Sequence, residues 1–156
     1  MTVLIAPHVV MGELAVLAIL WVVVEVIRGP SGAGVLRAKG ASVLGAVAMF
    51  GEWILAGTYY TGYYGKNVKP VILKGPWPWA HSIFMEAKEH FFLFMPFLSV
   101  VLLAVVWQYG GRLNENRGAR FMVYAVAGVS ILILAITAIM GYMISNGYRE
   151  ALPSPK

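Results

Sequence analysis

Four long apolar runs, parted by polar breaks, set the pattern of this chain. They cover roughly Val9–Ile27, Ala41–Gly62, Ser82–Gln108 and Phe121–Ile144. Each meets or comes within a residue of the ~20 helical residues that a hydrocarbon core about 30 Å thick requires. The breaks fit helical spans. Arg28-Gly29-Pro30-Ser31-Gly32 reads as a helix stop followed by a turn, and Arg112–Gly118 as a short polar turn. The middle connection, Tyr63–His81, is longer. It carries Lys66, Lys69 and Lys74, then Gly75-Pro76-Trp77-Pro78-Trp79, and it follows the aromatic segment Thr58–Tyr64. Tyr and Trp gather where membrane meets water, so this connection is expected to lie along one membrane surface. Pro96 falls inside the third run, removes one backbone donor and predicts a kink that frees the Phe92 carbonyl. The tail from Ala151 reads as a loose end. The expectation is an all-α, integral membrane four-helix bundle, with residues 1–156 forming a single transmembrane domain.

Composition sharpens this reading. Hydrophobic residues make up 60% of the chain and charged ones 12%, and the mean hydropathy is +0.75. There is no cysteine, which excludes disulfides, thiolate metal sites, iron–sulfur clusters and haem attached through the protein's own thiols. The net charge is +5, but the bases sit between the apolar runs, as membrane-flanking charges do, and form no nucleic-acid patch. The N-terminus lacks a basic stretch and a small-residue cleavage motif, so the first span is expected to be retained. An even number of spans puts both termini and the middle connection on one side. Arg28, Arg37, Lys39, Arg112, Arg117 and Arg120 then face Lys66, Lys69, Lys74, Lys88, Arg149 and Lys156, an even division that the positive-inside rule does not resolve. The tight placement of the first group against helix ends assigns the short turns to the inside of a bacterial or archaeal inner membrane, and the termini with 63–81 to the outside.

Ionisable residues within apolar spans are functional candidates because a charge in the bilayer is costly. They are Glu13 and Glu25 on the first span, Glu52 on the second, and Glu86, Lys88, Glu89 and His90 on the third, with His8 and His81 at helix starts. Topology gathers His8, Glu13, Glu52, His81, Glu86, Glu89 and His90 into the half of the bundle nearest the middle connection. Glu25 lies near the other surface, three residues before Arg28, its expected partner. Ser82, Glu86, His90 and Phe94 share one i, i+4 row. His81 is half a turn out of phase with His90, so the cross-helix pair His8 and His90 is the better candidate for a shared ligand. The fourth span supplies no charge, and its Ala125, Gly128, Ala135, Ala138 and Gly141 suit close backbone approach.

One reading of these residues is a single haem b between the first and third spans, bound by His8 and His90 and exchanging electrons, with quinone as a candidate partner. Phe84, Phe91, Phe92, Phe94, Phe97 and Trp53 would surround it, while Glu86 and Glu52 would orient imidazole or accept a proton. A second reading makes Glu13, Glu52, Glu86 and His90, with His8, a site for iron or zinc. Its weakness is that Glu-x-x-x-His occurs once and differs from the paired Glu-x-x-His of di-iron bundles. A third reading has no cofactor. The buried carboxylates and histidines are then a proton path, or the chain is an accessory subunit of a larger membrane respiratory complex. Blander roles stand beside each residue: His81 as a helix-start residue, Glu86 and Glu89 at a positive dipole end, Lys88 snorkelling, and Met11, Met85 and Met95 as packing.

With His8 and His90 on the first and third of four spans, the chain resembles the small four-helix membrane cytochromes b. The resemblance extends over the whole chain in architecture and rests on those two residues in motif. It implies a haem b with His8 and His90 as axial ligands. Many such cytochromes hold two haems on four histidines; the three histidines here allow at most one bis-histidine haem.

Overall fold

The computed structural model describes residues 5–153. The chain is all-α, and four helices are long and apolar enough to cross a membrane: α1 (Ile5–Ile27), α2 (Ala33–Lys74), α3 (Ala80–Arg112) and α4 (Arg117–Glu150). They run up and down and close a ring in which α1 meets α2, α2 meets α3, α3 meets α4 and α4 meets α1. α1 and α3 are therefore diagonal. Lys156, counted above among the flanking charges, lies outside the described residues.

The helices are longer than their apolar runs, and the excess is unequal. The 23 residues of α1 make a rod of about 35 Å, a close match to the bilayer. The 42 residues of α2 make one of about 63 Å, twice what a membrane needs. Contacts fix which end overhangs. Glu25 of α1 meets Arg37 of α2, a Cβ at Gly45 would touch the Cβ of Ala18 at 3.5 Å, and one at Gly51 would touch the Met11 sulfur at 3.5 Å. The end of α1 is thus level with the start of α2, and the stretch from about Tyr59 to Lys74 runs past the N-terminal end of α1. It packs there with the start of α3 and the end of α4 in a three-helix head.

The connection expected to lie flat on the membrane is thus mostly helix, and only residues 75–79 turn. The physical reason lies in how Pro70 is accommodated. A proline removes a backbone donor and its ring clashes with the carbonyl four residues earlier. Here it sits at the start of the last α-helical stretch, Lys69–Lys74, directly after wide π-helical turns over Tyr60–Val68. Wide turns relax the i→i+4 ladder and let the helix pass the proline. A second π-helical stretch, Ala80–Met85, opens α3. It begins after Pro78, whose carbonyl accepts from the backbone of both His81 and Ser82 at 3.1 Å.

There are two cores. The membrane core is built from Ala15, Ile19, Val22, Met49, Met95, Leu102, Val106, Val123 and Ala127 among others. The head core is Tyr64, Val68, Ile72, Ala80 and Ile144, ringed by Tyr59, Tyr60, Tyr63, Trp77, Trp79, Phe84 and Tyr148. Gly147 makes the head possible: a Cβ there would lie 2.6 Å from the Cβ of Ala80, so only glycine lets α4 approach α3 this closely. The outer face carries large apolar residues such as Leu17, Val47, Phe97, Leu132 and Ile139, the surface expected of spans bathed in lipid.

The small residues of α4 do not all serve packing. Ala125, Gly128, Ala135 and Ala138 are exposed, and a Cβ at Gly128 would meet nothing within 4 Å. Gly141 does face inward; a Cβ there would lie 3.1 Å from the Lys88 ammonium nitrogen.

Candidate functional site

Polar side chains enter this molecule in three places. The first is at the end where α1 finishes and α2 begins. Glu25, only 2% exposed, accepts from Arg37 Nε at 2.7 Å and Arg37 Nη2 at 3.0 Å, and from the Trp21 indole at 3.2 Å. Its partner is Arg37 across the helix pair, where the sequence suggested its own-helix neighbour Arg28. The fork geometry of guanidinium on carboxylate makes this a clamp between α1 and α2.

The second place lies inside the membrane bundle, towards the head. Glu52 of α2 is 7% exposed and its Oε1 stands 3.6 Å from Nδ1 of His8 on α1. That is an ion-pair distance, too long for a hydrogen bond. His8 Nδ1 and Glu52 Oε2 are both buried without a hydrogen-bond partner. Gly12 leaves the room this carboxylate occupies, since a Cβ there would be 3.2 Å from Oε1. Lys88 of α3 is within electrostatic reach of both His8 and Glu52. Phe92, one turn along from Lys88, sets its ring edge-on to His8 with centroids 6.3 Å apart.

The third place is the head core. His81 is 2% exposed. Its Nδ1 meets the Tyr64 hydroxyl at 3.1 Å, and its Nε2 faces Glu86 Oε1 at 3.4 Å. With the ring hydrogen on Nε2, on the side of the carboxylate, Nδ1 is free to accept from the phenol. Both members of the Tyr64–His81 pair come from π-helical stretches, geometry often found at functional sites. Tyr60 stacks on Tyr64 with centroids 5.4 Å apart, and Glu89 lies beside Tyr60.

The expected pairings come out differently. His90 is exposed, and its Nδ1 donates to the Glu86 carbonyl of its own helix at 2.6 Å. Residues two apart on a helix point in nearly opposite directions. With Phe92 turned towards His8, His90 turns away, so the two imidazoles do not share a site and are not placed to ligate one haem between α1 and α3. The whole row Ser82, Glu86, His90 and Phe94 is exposed, and Glu13 is exposed on α1. The set Glu13, Glu52, Glu86 and His90 is not assembled: among the described residues no three His or carboxylate side chains come close enough to hold a metal ion. Of the expected residues, the structure joins His8 to Glu52 and His81 to Glu86. It adds Tyr64, whose only sequence signal was its place in an aromatic run.

The fold and these clusters define a four-helix membrane bundle that carries a three-helix head, with its histidine–carboxylate contacts on the head side and the Glu25–Arg37 clamp at the opposite end. Comparison with protein-family models, curated proteins and solved structures finds no match to this chain.

Proposed function

We propose that this chain is a membrane subunit that moves protons between the aqueous side of its head and Glu52 inside the four-helix bundle. The observation that carries the reading is a graded chain of protonatable groups. The Glu86 side chain is 49% exposed and that of His81 3%, and Tyr64 is 2% exposed, so the groups lead from solvent to interior through contacts of 3.4 and 3.1 Å. An imidazole between a carboxylate and a phenol passes a proton by taking it on one nitrogen and releasing it from the other. Tyr60 with Glu89, and then Lys88, His8 and Glu52, continue the series of titratable groups towards the bundle.

The series ends at Glu52. Farther along the membrane core the hydroxyls of Ser42, Ser99 and Thr137 donate to carbonyls of their own helices, Glu25 is engaged by Arg37, and Ser130, buried without a partner, is a hydroxyl that does not titrate. A path that stops halfway serves proton uptake or release at a reaction centre and not free conduction across the membrane. Quinone dissolved in the bilayer and neighbouring subunits of a respiratory complex are the partners this reading suggests.

The test is an infrared pH titration of the full chain in sealed liposomes. A carboxyl band that disappears in Glu52→Gln is expected, and it should respond more slowly in Tyr64→Phe. A Glu52 band reached only from the side of the Arg112–Gly118 turn, or no such band, overturns the reading. An absorption spectrum with and without dithionite guards the other side: a Soret band with sharp bands on reduction would replace this proposal with haem-based electron transfer.

A further inference from the structure

The head core holds more aromatic chemistry than a proton relay uses. Tyr64 is not only bonded to His81; it lies in a row of phenols. Tyr60 stacks on it at 5.4 Å with ring planes 20° apart, Tyr59 stands 6.4 Å away, and Tyr63 lies 5.7 Å from Tyr59. Trp77 and Trp79 stack at 5.2 Å within the shell of the same core. Tyr59, Tyr60 and Tyr63 are half-buried, whereas Tyr64 is enclosed. The row therefore runs from the surface of the head to one phenol that is shielded from water and already hydrogen-bonded to a base.

We infer that Tyr64 and His81 form a proton-coupled redox pair. An oxidised phenol is a far stronger acid than the phenol itself, so oxidation proceeds readily only where a base stands ready for the proton. In the proposed step, Tyr64 gives one electron to a high-potential one-electron oxidant, a metal complex acting at the head surface through the neighbouring rings. The Tyr64 O–H bond breaks, and its proton goes to His81 Nδ1. The products are a neutral tyrosyl radical, an imidazolium and the reduced oxidant. The imidazolium stands 3.4 Å from the Glu86 carboxylate, whose negative charge favours it. Return of the electron and of the proton restores the starting pair. A buried tyrosine needs a hydrogen-bond partner for packing reasons alone. What packing alone does not call for is a partner that is itself a base with a carboxylate behind it, or a stacked row of phenols leading away from it.

The inference stands on the same Tyr64–His81 contact as the proton path, and its test separates the two. The full chain in detergent is photo-oxidised with tris(bipyridine)ruthenium and persulfate, frozen, and examined by electron paramagnetic resonance with ring-deuterated tyrosine as the assignment control. Wild type is expected to give a neutral tyrosyl signal that is lost in Tyr64→Phe and reduced severalfold in His81→Phe. Glu86→Gln changes a half-exposed side chain, so its folding is not at risk, and it should lower the yield partway. A signal equally strong in Tyr64→Phe, or one indifferent to both His81→Phe and Glu86→Gln, overturns the redox pair. A His81-dependent radical in a protein with no Glu52 infrared band sinks the proton path alone. A normal infrared titration with a His81-independent radical sinks the redox pair alone.

Discussion

Gly147→Ala tests the fold of the head and the geometry of its polar pair in one substitution. The added methyl would start 2.6 Å from the Cβ of Ala80 and 3.7 Å from Cβ and O of Trp77. Methyl groups in contact sit about 4 Å apart, so α4 and the start of α3 must separate by roughly 1 Å or more. Ala80 is followed directly by His81, whose bond to Tyr64 is already 3.1 Å long. A shift of that size takes it beyond hydrogen-bond range. Overpacking a tight contact costs about 1–3 kcal/mol, and a buried polar group left without its partner costs a similar amount. Because the two effects share one displacement they do not simply add, and a net loss of about 2–4 kcal/mol is expected. The control is Gly128→Ala, where a Cβ meets nothing within 4 Å and helix propensity favours alanine by up to about 1 kcal/mol. Denaturant unfolding in mixed micelles gives the stabilities, and ultraviolet resonance Raman of tyrosine reports the hydrogen bond. If Gly147→Ala unfolds like Gly128→Ala with the tyrosine signature unchanged, the close approach of α4 to Ala80 is not real and the argument for the head fails.

Three further outcomes follow from the same geometry. Arg37→Leu should strip Glu25 of two of its three donors and loosen the α1–α2 pair, seen as a shift in Trp21 fluorescence; Arg37→Lys, which keeps the charge but not the fork, should shift it less. Tyr64→Phe should destabilise the protein by about 1–3 kcal/mol, because the imidazole nitrogen of His81 stays buried without its donor, and a chemical-denaturation curve equal to wild type would contradict the bond. His90→Ala should leave stability and the Glu52 infrared band unchanged, since His90 is exposed and bonds only within its own helix; His8→Ala should shift that band, and the reverse pattern would show that the inward and outward faces of α3 have been exchanged.

The number, order and approximate reach of the spans were legible in the sequence because the demand for about 20 apolar residues is simple and strong. Facing was not. In lipid the outside of a bundle is as apolar as its inside, so no hydrophobic stripe tells a span which side to bury. The row through Glu86 and His90 was correctly seen as one face of a helix, yet it is the outward face, while Lys88, Phe92 and Met95 turn inward. The same ambiguity sent Ala125 and Gly128 to the surface. Glu52 could be picked out because it lies mid-run with no flanking charge to excuse it. His81 reads in the sequence as a helix-start residue because it follows Trp77-Pro78-Trp79 and lies half a turn out of phase with His90; only the wide turns in α2 bring Tyr64 to it.

Those wide turns also say something about how the head is held in register. A π-helical stretch carries its extra backbone length as a strain that the ordinary α ladder would remove. Tightening either stretch by one residue would rotate everything beyond it by about 100° around the helix axis. Tyr64 or His81 would then swing out of the core, and the 3.1 Å bond between them would be lost. The two wide stretches are therefore matched to each other: the phenol–imidazole contact forms only while both keep their extra backbone length.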